Sequence, residues 1–297
     1  MPAIPSHQRT ALVAEATITA ERALRAGDAV GALAIADGLV DFAPDDPMVW
    51  AIRARVLRGV GRIADADAAE AAAIAQVAAT LPTLDLQERM NRFARVTFLG
   101  GPPEQFVELG QMQLLTLLEE GLEAHHTVLD VGCGALRAGL WLVKVLEAGH
   151  YFGIEPNRAR LGFGVEHVMG AELVARRQPH FDTNDRFDMS VFGVHFKFIV
   201  ARSVWTHAAK PQIEAMLDGL VQHGDVLLAS YLPARSAVED YRGESWVGQS
   251  DSSPFGGLVR HDRAWIDRAA TARGLKVRAL ERHVVNDQVW LRIEGAH

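Results

Sequence analysis

The stretch VLDVGCGALRAG, Val128 to Gly139, sets an aspartate two residues ahead of a pair of glycines. An apolar run that breaks into glycine reads as a strand reaching a tight turn, where the backbone can approach a ligand closely. Asp130 stands at the carboxyl end of that strand, so its charge falls beside whatever the turn cradles. Next to a pyrophosphate it would repel; next to an ammonium or sulfonium it attracts. The dinucleotide fingerprint also asks for a third small residue at the position of Arg137, and a long cationic side chain does not serve there. HYFGIEPN, His150 to Asn157, then brings Glu155 to the end of a second strand. A carboxylate at that place can accept hydrogen bonds from both hydroxyls of a ribose. Asp130 and Glu155 together fit an adenosine with a positively charged amino-acid tail better than a dinucleotide.

At these residues the chain resembles the class I S-adenosylmethionine-dependent methyltransferases. The resemblance covers Leu109 to about Leu232, through LGQMQLLTLLEEGL, VLDVGCGALRAG, YFGIEPN and FKFIVARSVWTH. It is closest to a bacterial group whose turn reads LDVGCGSLRGG and whose fourth strand ends in a Ser, an aromatic, Thr and His. It implies a seven-stranded Rossmann-like methyltransferase sheet of order 3-2-1-4-5-7-6 with the last strand antiparallel. It also implies that Gly132, Cys133 and Gly134 wrap the methionine and ribose of S-adenosyl-L-methionine, and that Glu155 holds the ribose. Asn184 or Asp185, after the third strand, is the acid or amide implied at the adenine amine. Ser203, at the end of the fourth strand, is counted with these cofactor residues. One departure is visible: the fourth strand opens with Phe196-Lys197-Phe198 where such enzymes often have Phe-Asp, which leaves its register open.

Methyl transfer is an in-line displacement at an activated carbon, so such a protein mainly positions the acceptor and shields the site. An oxygen acceptor must also lose a proton. His207, in SVWTH after the fourth strand, is the titratable group best placed to take it, though a histidine there can equally cap or pack. Cys133 is expected to be a small packed side chain rather than a nucleophile, and Arg137 to face solvent or pair with a carboxylate. Gln113 fits either a cofactor carboxylate or an ordinary helix surface. Methyltransferases acting on nucleobase or glutamine amines resemble one another in an Asn/Asp-Pro-Pro-aromatic sequence after strand four. Here Arg202-Ser203-Val204-Trp205 stands instead, so amine methylation of that kind is disfavoured.

The elements that must position these groups follow from the patterning. The chain has 297 residues, 49% of them apolar, enough for one large domain and a smaller one. Residues 1–82 are alanine-rich with apolar residues at helical spacing. An offset of 34 residues lays Gly27 on Gly61 and Ala32 on Ala66, which resembles a tetratricopeptide repeat. Two such units must cover an open face, so this arm is expected to scaffold, to self-associate or to present a protein partner. Residues 83–104 read as a linking helix and a Gly/Pro boundary, and residues 105–297 as the cofactor-binding α/β domain. Its strand candidates are TVLDVG, HYFGIE, PHFDTN, FKFIVARS, DVLLASYL, GLKVRALE and VNDQVWLRI. After the fifth strand a long Gly- and Ser-rich segment carries Tyr241, Trp246 and Phe255, either a lid or a mobile insertion.

A net charge of -7 argues against a nucleic-acid or anionic-membrane partner. Cys133 is the only cysteine, so no disulfide and no zinc-type cluster is expected, and no metal is assigned. No run is long and apolar enough to span a bilayer, and MPAIPSHQRT lacks a secretory layout, so a cytoplasmic chain is expected. The expected activity is methyl transfer from S-adenosyl-L-methionine to an oxygen of a small molecule or saccharide. The alternatives are a protein methyltransferase whose arm presents the substrate and a non-catalytic adaptor on the cofactor fold.

Overall fold

The computed structural model describes residues 6–81, 83–247, 257–285 and 287–295. They divide between Leu99 and Gly100 into two compact units.

The first unit holds five helices: α1 (Ser6–Arg25), α2 (Ala29–Phe42), α3 (Pro47–Gly59), α4 (Ile63–Ala78) and α5 (Leu86–Val96). Aspartates start three of them. Asp28, Asp46 and Asp85 accept from the backbone N–H of Gly31, Met48 and Glu88, satisfying donors that a first helical turn leaves free. The 34-residue offset has a geometric counterpart. Gly27 and Gly61 both adopt φ +80°, and the N–H groups of Asp28 and Arg62 reach back to the carbonyls of Ala23 and Leu57, each at 2.9 Å. Ala32 and Ala66 are fully buried, as close helix crossings require. Inside this unit the buried Glu70 carboxylate pairs with Arg58 at 3.0 Å and accepts from the Thr97 hydroxyl.

The second unit is a sheet clothed by helices. In chain order it comprises α6 (Phe106–Glu119), β1 (Val128–Val131), α7 (Gly139–Val145), β2 (Tyr151–Ile154), α8 (Arg158–Phe163), α9 (Ala171–Arg177) and β3 (His180–Asp182). Then follow β4 (Phe196–Ala201), α10 (Lys210–His223), β5 (Gly224–Tyr231), α11 (Arg263–Thr271), β6 (Leu275–Val285) and β7 (Gln288–Gly295). Between α8 and α9 the chain makes a π-helical turn, Gly164–Met169. The strand order is β3-β2-β1-β4-β5-β7-β6, with β7 antiparallel to both neighbours. This is the seven-stranded order 3-2-1-4-5-7-6 that the resemblance implies, and the seven strand candidates lie in it.

Parallel strands buried on both faces need apolar side chains on both. Ile199, Leu227, Leu291 and Ile293 pack on one face with Ile213, Met216, Leu217 and Leu220 of α10, whose spacing is that of one helical stripe. Val128, Phe198, Val200, Val226 and Leu228 pack on the other, with Leu142 and Val143 of α7 and Leu117 of α6. The register of β4 is continuous: Val128 lies opposite Phe198 and Asp130 opposite Val200, while on the other side Phe198 faces Val226. Lys197 disturbs nothing, because it leans out to Asp225 at 3.1 Å. Among the described residues no helix is long and apolar enough to cross a membrane.

Candidate functional site

The glycine turn leaves the carboxyl end of β1 in a conformation that L-residues resist. Gly132 has φ +70° and Gly134 φ +56°. A Cβ on Gly132 would also come within 2.9 Å of Val204 Cγ2, so the turn after β4 closes directly on the turn after β1. The close helix-to-strand approach that a third fingerprint glycine gives dinucleotide folds is made here by Gly139. A Cβ there would lie 2.5 Å from Tyr151 Oη.

Beside this turn stands Glu155, just beyond β2 and 6% exposed. Oε2 accepts from Gly134 N at 3.1 Å, Oε1 from Asn157 N at 2.9 Å, and Arg160 Nη1 lies 3.5 Å away. Oε1 thus faces two donors, while Oε2, with one, keeps a lone pair for a further donor. Asp130 is 4% exposed and accepts from Tyr151 Oη at 3.0 Å. Burial pushes its pKa up to about 7, against the hydrogen bond from Tyr151 and the charge of Arg137 and with the charge of Glu155. Cys133 is buried against β2, where a Cβ on Gly153 would meet its sulfur at 2.9 Å. Burial, with Asp130 and Glu155 nearby, pushes its thiol pKa far up, so a thiolate does not form there.

Arg137 does not face open solvent, and among the described residues it forms no ion pair. It is half-buried, Nη1 donates to the Gly100 carbonyl at 3.0 Å, and Nε is buried with no partner. The reason is topological: the chain at Gly100-Gly101 passes over the turn, and a Cβ on Gly101 would lie 3.3 Å from Arg137 Nη1. A guanidinium therefore stands within electrostatic reach of the Asp130 carboxylate, beside the same turn. Gln113 is not a surface amide either; it is buried, and Nε2 bonds the Leu109 carbonyl of its own helix at 3.0 Å.

Asn184 and Asp185 follow β3, which joins the Glu155 backbone through Glu155 N to Asp182 O at 3.1 Å. Asn184 is engaged in its own loop: Nδ2 donates to Asp182 Oδ1 and Asp188 O, while Oδ1 accepts from Asp188 N. Asp185 is exposed. Ser203 has φ +58°, and its backbone N–H donates to Ser230 Oγ at 2.8 Å. Leu136, at φ +63°, is a second side chain held in the left-handed region at this edge of the sheet. Such conformations cost about 1–2 kcal/mol each and persist where the surroundings enforce them. Sequence patterning expects glycine for such a conformation and does not mark it at either residue.

His207 lies beyond Ser203, its N–H on the Val204 carbonyl at 3.0 Å. It is 4% exposed, with Trp246 stacked on it at 5.5 Å between centroids. The segment after β5 is thus tied down where it is described. Val247 N donates to His207 O and Val259 N to Thr206 O. His261 Nε2 contacts the carbonyls of Trp205 at 3.1 Å and Ala208 at 3.0 Å. Phe255 lies outside the described residues. A cleft of about 760 Å³ opens between residues 237–242 and 258–260 of this segment, lined by none of the expected cofactor residues. Among the described residues no group of three or more His, Cys, Asp or Glu could hold a metal.

No family model matches the chain, and no curated protein matches it in sequence. Among solved structures it is similar to magnesium protoporphyrin IX methyltransferase (ChlM) from Synechocystis PCC 6803 with bound SAM. That pair is 17% identical over 73% of this chain and 100% of the other, with a TM-score of 0.48. It is also similar to the CcbJ methyltransferase from Streptomyces caelestis, 14% identical over 66% of this chain and 97% of that one, TM-score 0.47.

Proposed function

We propose that the chain is an S-adenosyl-L-methionine-dependent methyltransferase acting on an oxygen of a small molecule or saccharide. The observation that carries this is the left-handed glycine turn at the end of β1 with the buried Glu155 carboxylate beside it, bonded to Gly134 N at 3.1 Å. The donor set fits the cofactor. Glu155 keeps a lone pair on Oε2 for a ribose hydroxyl, Asp130 supplies the carboxylate that draws a cationic tail, and exposed Asp185 is free to meet an adenine amine. Gly132, Cys133 and Gly134 offer backbone without side-chain obstruction, and Ser203 lies one residue before the Val204 that closes on Gly132. Bound there, the cofactor supplies a methyl group activated by its sulfonium. The chain's own task is to hold acceptor and donor in line and keep water out.

His207 is the proposed proton acceptor, and Trp246 the side chain that shields it. An unaltered pH-rate profile in His207→Ala removes it as a base. The sequence Arg202-Ser203-Val204-Trp205 after β4 supports an oxygen acceptor over a planar amine. For the helical unit, the exposed apolar side chains of Val30, Phe42 and Ile63 support a tetratricopeptide-like arm that meets a partner protein or a second copy.

Calorimetry with S-adenosylhomocysteine tests the cofactor reading. Wild type binds it, and Glu155→Ala weakens it about tenfold or more, as loss of hydrogen bonds to a charged group requires. No heat with wild type at millimolar nucleoside would end the proposal. Labelling of a cell extract with a radioactive methyl donor then reads out whether small molecules or protein bands carry the label.

A further inference from the structure

Among the described residues, two arginines at the carboxyl edge of the sheet form no ion pair. Asp130 of β1 lies opposite Val200 of β4, the last pair of that ladder, and Arg202 follows β4 two residues before the Val204 that meets Gly132. The contact between Gly132 and Val204 fixes how tightly the two turns meet. Arg202 Nη1 donates to Ser203 Oγ at 2.8 Å, to Ser230 Oγ at 3.1 Å and to Gln288 Oε1. Its guanidinium carbon sits 5.6 Å from the centroid of the buried Trp290 ring. Three neutral acceptors on one nitrogen and an aromatic floor orient the guanidinium and leave its other nitrogens without a protein partner among the described residues.

Arg137 is held in the same manner, by one bond to the Gly100 carbonyl, with Nε buried and unpartnered. Neither arginine makes an ion pair with a carboxylate among the described residues. Burial lowers the pKa of Arg137 to about 10 and, together with the charge of Arg137, that of Arg202 to about 9. Two half-buried like charges at one sheet edge are costly unless an anion offsets them. A carboxylate presents two oxygens to the guanidinium fork. Asp130 already places a negative charge within electrostatic reach of Arg137, which favours a singly charged ligand over a dianionic phosphate.

We propose that Arg137 and Arg202 form a carboxylate-binding subsite beside the glycine turn, on its β4 side. The carboxylate belongs either to the cofactor's amino-acid tail or to the acceptor, and this assignment rests on the methyltransferase reading. Because Arg202 is anchored through Ser230 of β5 and Gln288 of β7, the subsite lies across β1 from Glu155.

The test uses the full chain with Arg137→Gln and Arg202→Gln, each checked for folding by circular dichroism. Arg137→Lys and Arg202→Lys replace any that does not fold, because lysine keeps the charge and loses the fork. S-adenosylhomocysteine and 5′-methylthioadenosine, which lacks the amino-acid tail, are titrated by calorimetry, and benzoate is titrated onto protein saturated with S-adenosylhomocysteine by ligand-observed NMR. A loss of about tenfold or more for S-adenosylhomocysteine, with methylthioadenosine unchanged, assigns the subsite to the cofactor tail. Unchanged nucleoside binding with a similar loss of benzoate assigns it to the acceptor. If both ligands bind the variants as they bind wild type, the subsite is overturned. Should wild type bind neither nucleoside, benzoate alone is titrated. Binding lost in the variants then keeps the anion subsite while the methyltransferase reading fails, and binding absent or unaffected by them overturns the subsite too.

Discussion

Asp130 is a carboxylate placed where a charge is disfavoured, and its titration carries information about the ligand. Burial raises its pKa from 3.8 to about 7, so between those values the folded chain holds a proton that the unfolded chain has released. The ionised form therefore costs stability that is absent at pH 4, grows towards pH 7 and is constant above it. Asp130→Asn should raise the thermal midpoint above pH 7 and leave it unchanged near pH 4, as read by calorimetric melting across that range. A ligand with an ammonium favours the carboxylate, so S-adenosylhomocysteine should bind wild type more tightly as pH rises through about 7. In Asp130→Asn that dependence should disappear, with Tyr151, Arg137 and Glu155 the charged and polar groups that face it. Gly132→Ala forces an L-residue to φ +70° and drives its Cβ into Val204. A loss of about 1–2 kcal/mol in urea unfolding, with weaker nucleoside binding, is the expected outcome.

Sequence alone leaves the segment after β5 open between lid and insertion. Its described parts are hydrogen-bonded to the turn after β4 at Thr206 and His207 and locked by His261 beneath. His261 is fully buried, and burial lowers its pKa from 6.5 against the two carbonyl bonds that raise it. The unfolded chain thus takes up a proton below about pH 6.5 that the folded chain refuses, and this residue's contribution to stability is lost as pH falls through that value. His261→Ala should abolish that acid dependence and speed hydrogen exchange in the peptide spanning residues 203–210; exchange at the wild-type rate would show that His261 does not hold the turn. Both carboxylates, the glycine turn and all seven strands were legible because alternating apolar runs ending in Gly or an acid are local signals. The left-handed conformations of Ser203 and Leu136 and the burial of Arg137 were not. Their conformations are imposed by chain segments far away in sequence, Gly100 over Arg137 and Ser230 under Ser203.

At the scale of the whole molecule, all candidate cofactor residues belong to the unit that begins at Gly100. A chain starting there should bind S-adenosylhomocysteine as the full chain does; weaker binding would place a contact in the helical unit. Patterning alone determined a mostly parallel sheet with helices on both faces and the row of groups at its carboxyl edge, since apolar runs, crossover helices and the glycine turn are written in residues close together along the chain; the strand order came from the resemblance to methyltransferases. Tertiary structure decided the electrostatics. A charge reads from sequence as full strength and solvated, whereas here packing buries Asp130 and half-buries Arg137 and Arg202 at the same edge of the sheet. Which of them is charged, and what ligand that charge attracts, depends on desolvation and on neighbours that only the folded chain brings together.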